Sequence, residues 1–303
     1  MVIRALIRVL LFPWTVLILL IRFLLRSWAE ADNEAAQYRS ESSSNSTSDA
    51  LLAAYIFSIV AISLVLQEYL GDRHAFSKIL RFIDDPFSPD LHPLLYSLVG
   101  WIRPEGSSLY GYLLNKGYHN LWLLSYWASW RVIGFLIIPG IAVMLHPRLR
   151  KSALGFTFKG MSRHIWIYCV LFIPVFIAVV IVSFSDEFSS YYPFYRNAHR
   201  SLFDFVVWET FYIAQFLSLE FFFRGFMLQP LRRTMGSSAI FAMMVPYVMI
   251  HIGKPMIECF AAVIAGIVLG TLAMRTKSIW AGFLIHVSVA LSMDILAIWQ
   301  VNW

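Results

Sequence analysis

Eight apolar runs, most of them close to twenty residues long, divide the chain: residues 5–25, 51–70, 121–145, 165–184, 203–229, 238–251, 258–274 and 279–299. A helix rising about 1.5 Å per residue needs roughly 20 residues to cross the ~30 Å hydrocarbon core of a bilayer. Hydrocarbon offers no partner to backbone N–H and C=O groups, so a chain entering it this way must satisfy them within each helix. The fold class that follows is all-α, a polytopic transmembrane helical bundle of about seven or eight spans. Only 14% of the residues are charged, against about 25% in a soluble domain, which excludes an ordinary water-soluble fold. The net charge of +6 lies mostly between the runs, a placing that suits anionic headgroups rather than nucleic acid. Membrane lipid is therefore an expected partner, and nucleic acid is not.

Between the runs the chain changes character. Residues 1–27 read as an apolar span or an interfacial helix, with Arg4 and Arg8 at its start and Arg22 and Arg26 at its end. A cleaved signal peptide ending near Ala29-Glu30-Ala31 is the rival reading, which the two later arginines disfavour. Residues 28–50 are polar and Ser-rich and are expected to form a flexible linker. Residues 51–145 hold two spans separated by a large 71–120 loop, marked by Asp84-Asp85-Pro86, Pro89, His92-Pro93 and Arg103-Pro104-Glu105-Gly106. Cys169 and Cys259 fall in apolar runs and read as small packing residues rather than a disulfide.

Ionisable groups are expensive in hydrocarbon, so those inside the later runs are functional-site candidates. Glu220 and Arg224 stand four residues apart, on one face of an α-helix, with three phenylalanines between them. His251 closes one run, Glu258 opens the next, and His286 and Asp294 lie inside the last. Counting along each helix places His286 roughly 10 Å, Glu220 about 13 Å and His251 about 20 Å from the same membrane face, depths compatible with one cavity. A carboxylate there suits a general base, imidazoles can position water or meet an oxyanion, and Arg224 can hold Glu220 ionised. Base, water and stabiliser are the parts that peptide-bond hydrolysis needs. Taken singly, each has a plainer reading: an interhelical hydrogen bond for either histidine or for Asp294, a structural ion pair for Glu220–Arg224, a solvated side chain for Glu258.

The stretches Glu220-Phe221-Phe222-Phe223-Arg224, Tyr247-x-x-x-His251 and His286 together resemble the three motifs of the CAAX prenyl protease and bacteriocin-processing family of intramembrane endopeptidases. The resemblance covers roughly residues 150–299 and marks 146–303 as a CAAX-protease-like helical domain. It implies a site buried below the cytoplasmic face, with Glu220, Arg224, His251 and His286 as catalytic residues and Glu258 and Asp294 as supporting ones. In those roles Glu220 is the base, Arg224 orients it, His251 helps activate water and His286 meets the oxyanion. Two positions depart from the family pattern. Leu219 stands where the first glutamate is expected, and Ala290 where an asparagine usually follows the last histidine.

The function expected from this reading is hydrolysis of a peptide bond in a membrane-associated protein or peptide, by a multi-pass protein of a bacterial plasma membrane. A catalytically inactive scaffold or immunity-type protein using the same cavity is the alternative, and a proton relay is the third. Two histidines and a carboxylate also match a zinc ligand set, so His251, His286 and Glu220 are candidate ligands of a divalent metal; the same groups suffice without one.

The loops 146–164, 224–237 and 275–278 carry ten Lys and Arg, against three in 185–202 and 252–257, which assigns the first set to the cytoplasm. In a cysteine-free background, Ser189→Cys should react with an impermeant thiol reagent in intact cells, and Ser152→Cys only after lysis. The opposite labelling reverses the topology.

Overall fold

The computed structural model describes residues 2–41, 46–84, 111 and 117–301. Every extended element among them is helical. In chain order these are α1 (Val2–Glu41), α2 (Ser46–Tyr69), α3 (Arg73–Asp84), α4 (His119–Val132), α5 (Ile138–Leu145), α6 (Pro147–Arg150) and α7 (Lys159–Val182). There follow α8 (Asp186–Tyr191), α9 (Leu202–Glu220), α10 (Gln229–Met235), α11 (Ser238–Met249), α12 (Met256–Thr276) and α13 (Trp280–Val301). Two π-helical stretches, Ile133–Ile137 and Phe221–Leu228, join α4 to α5 and α9 to α10. The all-α class expected from the apolar runs is what the chain adopts.

Six helices among the described residues are long and apolar enough to cross a membrane: Thr47–Tyr69, His119–Leu145, Ile165–Val182, Leu202–Met235, Met256–Thr276 and Trp280–Gln300. The chain is thus an integral, multi-pass membrane protein. The run at 238–251 becomes a helix of 12 residues, about 18 Å long and short of a full span. The first run lies within the 40-residue α1. Most of the 71–120 loop lies outside the described residues, apart from α3.

The chain forms two compact units. One comprises Met1–Phe57, His146–Ile165 and Phe223–Gly282. In it, the polar stretch expected to be a linker is helical as far as Glu41. The reason is a stripe at three- and four-residue spacing rather than composition. Trp28 Nε1 donates to Thr271 Oγ1 at 2.9 Å, Ala31 and Ala35 are buried, and Arg39 donates to the Thr234 carbonyl at 2.7 Å. On the same stripe Asp32 accepts from the Ser237 backbone N–H (2.7 Å) and hydroxyl (3.0 Å). Helices α11 and α12 pack closely because Gly270 and Gly266 leave room for Ile240, Met243 and Met244, the small-residue contact common between membrane helices. Arg148 ties α6 to the start of α2 through the Ser48 carbonyl and hydroxyl, both at 2.8 Å, and the Asp49 carboxylate.

The second unit comprises Ser58–Leu145, Trp166–Phe222 and Phe283–Trp303. Its core gathers Leu121 and Leu124 of α4, Trp208 and Tyr212 of α9, Ala290 of α13, and Tyr195 and Ala198. Arg131 donates to Gln67 Oε1 at 3.2 Å and lies over the Trp127 ring, so this intramembrane cation has partners within the bundle. Ser201 caps α9 by accepting from the Asp204 N–H at 3.1 Å. The buried Asp204 carboxylate holds Arg200 through two oxygens, at 2.7 and 3.0 Å, and accepts from the Tyr195 hydroxyl at 2.6 Å. Burial, and after it this contact with Asp204, raises the Tyr195 pKa above its ordinary value.

Gly236 ends α10 with φ 57° and ψ −134°, backbone that only glycine adopts readily. A Cβ there would stand 2.3 Å from Asp32 Oδ1. Gly236→Ala should therefore destabilise the protein by about 1–3 kcal/mol, read as a lower thermal midpoint in detergent. An unchanged midpoint would show that α1 does not close on this turn.

Candidate active site

The second unit brings two of the sequence candidates into direct contact. Glu220, the last residue of α9, is fully buried. Its Oε1 lies 2.8 Å from Nδ1 of His286 on α13. An ionised carboxylate at this distance favours a proton on Nδ1 of the imidazole. Phe216, one turn before Glu220, stacks on the His286 ring at 5.7 Å with the planes 5° apart. The ring thus lies between an aromatic face and the carboxylate. The His286 side chain keeps 17% of its surface exposed while Glu220 keeps none, so the imidazole is the member of the pair that a reactant can approach.

Two turns further along α13, Asp294 is fully buried. It accepts from the Phe194 backbone N–H at 3.0 Å and from Trp208 Nε1 at 3.2 Å. The contacts 220–286 and 208–294 together make α9 and α13 antiparallel. Asp294 thereby orders the 194 segment and the Trp208 ring, a bracing part at some distance from the Glu220–His286 contact. Beside it lies the carboxyl of Glu209, also buried. Glu209 is not among the residues singled out from the sequence, although an acid in the middle of the apolar 203–229 run was a visible signal. Ala290, at the position where the family pattern has asparagine, belongs to the aromatic cluster of Trp208 and Tyr212. Its small side chain suits a helix packed against such rings. Leu219 is buried as well.

The first unit holds the other candidates. Arg224 is buried, its guanidinium carbon 4.2 Å from the centre of the Tyr247 ring, a cation–π contact with a desolvated cation. Phe223 meets the same ring edge-on at 5.3 Å. Four residues after Tyr247, His251 turns its Nδ1 back to the Tyr247 carbonyl at 2.9 Å. A carbonyl only accepts, so Nδ1 carries the proton and Nε2 the lone pair. The Cys259 thiol donates to the His251 carbonyl at 3.0 Å. Glu258 forms an ion pair with Lys254 one helical turn away. Tyr247 is therefore the residue that links Arg224 to His251, through its ring on one side and its carbonyl on the other.

No group of three or more His, Cys, Asp or Glu among the described residues is arranged to hold a metal ion.

Removing Asp294 tests the bracing. Asp294→Ala strands two donors and should destabilise by about 2–5 kcal/mol in total, while Asp294→Asn keeps an acceptor and should lose less than half of that. Equal losses in thermal midpoint would contradict the two-donor account.

Residues 201–292 match the family model described as type II CAAX prenyl endopeptidase Rce1-like. No curated protein and no solved structure matches the chain. The matched stretch contains Glu220, Arg224, His251 and His286, the four residues on which the motif resemblance rests. Residues 201–292 of this multi-pass membrane protein thus form a domain of the Rce1-like type II CAAX prenyl endopeptidase family, a family of membrane proteases.

Proposed function

We propose that the chain is an intramembrane endopeptidase that hydrolyses a peptide bond of a membrane-associated protein or peptide. The observation supporting this most directly is the Glu220–His286 contact at 2.8 Å, made inside the stretch that matches the protease family. In this reading the His286 Nε2 takes a proton from water as the water oxygen attacks the scissile carbonyl carbon. Glu220 holds the ring in the required tautomer and stabilises the imidazolium that forms. The same proton then passes to the leaving amine. The carboxylate works through His286 instead of meeting water itself, which relieves the requirement for a glutamate at position 219. Arg224 and His251 enter through the motif resemblance, Arg224 as a fixed cation and His251 as a second imidazole for water or the oxyanion.

A second reading is a binding scaffold without hydrolysis. Leu219 and Ala290 favour it, since both replace polar groups of the family pattern with buried apolar ones.

The purified protein in lipid nanodiscs, offered a library of membrane peptides, separates the two. Glu220→Gln and His286→Ala should each lower kcat by about 100-fold or more in protein that stays folded at the assay temperature. Retention of wild-type rates by both variants would defeat the site assignment. Absence of cleavage by the wild type, with cleavage gained by Leu219→Glu combined with Ala290→Asn, establishes the scaffold.

A further inference from the structure

A cavity of about 220 Å³ in the first unit is lined by Leu19, Arg22, Phe23, Arg26 and Arg275. Four of the five lie on α1 at positions 19, 22, 23 and 26, the spacing of one helix face, and the fifth ends α12. Three guanidinium groups thus border one small volume. Arg275 is fixed there by an ion pair with Glu30 and by lying 5.3 Å from the centre of the Phe23 ring. Arg22 and Arg26 are exposed side chains on the same stripe. Glu30 offsets a single charge, so the cavity keeps an excess of positive charge.

The surroundings identify the kind of anion. Leu19 and Phe23 border the cavity beside the arginines, and Leu17, Ile18, Ile21 and Leu25, on the other side of α1, are exposed as well. A cationic cavity with apolar side chains in its lining fits a ligand whose phosphate is attached to hydrocarbon. Arginines near a membrane surface are attracted by the phosphates of anionic headgroups. Planar guanidinium groups bind phosphate oxygens in pairs.

We propose that Arg22, Arg26 and Arg275 form a binding site for the phosphate headgroup of an anionic phospholipid, with Leu19 and Phe23 bordering its acyl chains. The site is independent of Glu220 and His286, and neither belongs to its lining.

The test titrates the full-length protein in detergent with phosphatidylglycerol, with phosphatidylcholine as the neutral lipid and inorganic phosphate as the free anion. Bound lipid is counted by native mass spectrometry. Arg22→Gln with Arg26→Gln should weaken phosphatidylglycerol binding roughly 30-fold, at about one surface arginine's contribution each, and leave phosphatidylcholine unchanged. Arg22→Gln alone, a milder change, should weaken it about fivefold. Arg150→Gln with Lys151→Gln removes the same charge elsewhere and should shift binding by less than about twofold, since screening confines the effect to roughly 10 Å. Equal weakening by the two double variants overturns the site in favour of diffuse attraction. Full displacement of the lipid by inorganic phosphate overturns the lipid assignment and leaves a soluble phosphate as the ligand.

Discussion

Hydrocarbon supplies no hydrogen bonds, and each polar group in this chain is placed under that constraint. Main-chain groups are satisfied within helices. Several ionisable side chains among the described residues of the apolar runs have partners: Glu220 with His286, Asp294 with Phe194 and Trp208, Arg131 with Gln67, Arg224 with the Tyr247 ring. Each match joins segments distant in sequence or adjacent turns of one helix, so the polar groups that a membrane penalises become the connections that specify packing. Apolar surface cannot do this alone, because lipid tails compete for it equally.

The same economy gives several residues two duties. Tyr247 offers its ring to Arg224 and its carbonyl to His251. Phe216 packs and also orients the His286 imidazole. Asp204 accepts from the Ser201 hydroxyl, the Arg200 fork and the Tyr195 hydroxyl on one carboxylate. In the proposed reaction Glu220 is of this kind as well, a packing-buried group whose chemical effect is delivered through the ring it holds.

Much of the membrane architecture was legible in the sequence because length and apolarity are local properties. The runs 51–70, 121–145 and 279–299 correspond closely to helices that can span. The pairing of Glu220 with His286 could be suspected from depth but not read, since it depends on how α9 and α13 face one another. Composition misled at residues 28–41, where a Ser-rich tail concealed the Trp28, Ala31, Asp32, Ala35 and Arg39 stripe. Run length also overstated 238–251, because the helix stops at Met249. Glu209 escaped notice because its importance comes from Asp294, eighty-five residues later. The Arg22–Arg26–Arg275 cavity was hidden for the same reason: the middle of α1 had to meet the end of α12 before the three cations bordered one volume.

The antiparallel pair α9 and α13 is fastened at two levels, Glu220–His286 and Trp208–Asp294, about 12 Å apart along α13. Two fasteners on one pair of rods behave differently from one. A single pin would allow rotation about itself, and a purely greasy seam would allow sliding by a helical turn. Here a slide of either helix would break both polar contacts at once in a medium that offers no replacement. The pair therefore moves as a rigid strut. In the proposed reaction, a peptide would then reach His286 through movement of neighbouring segments and not through relative travel of the two helices that carry the carboxylate and the imidazole.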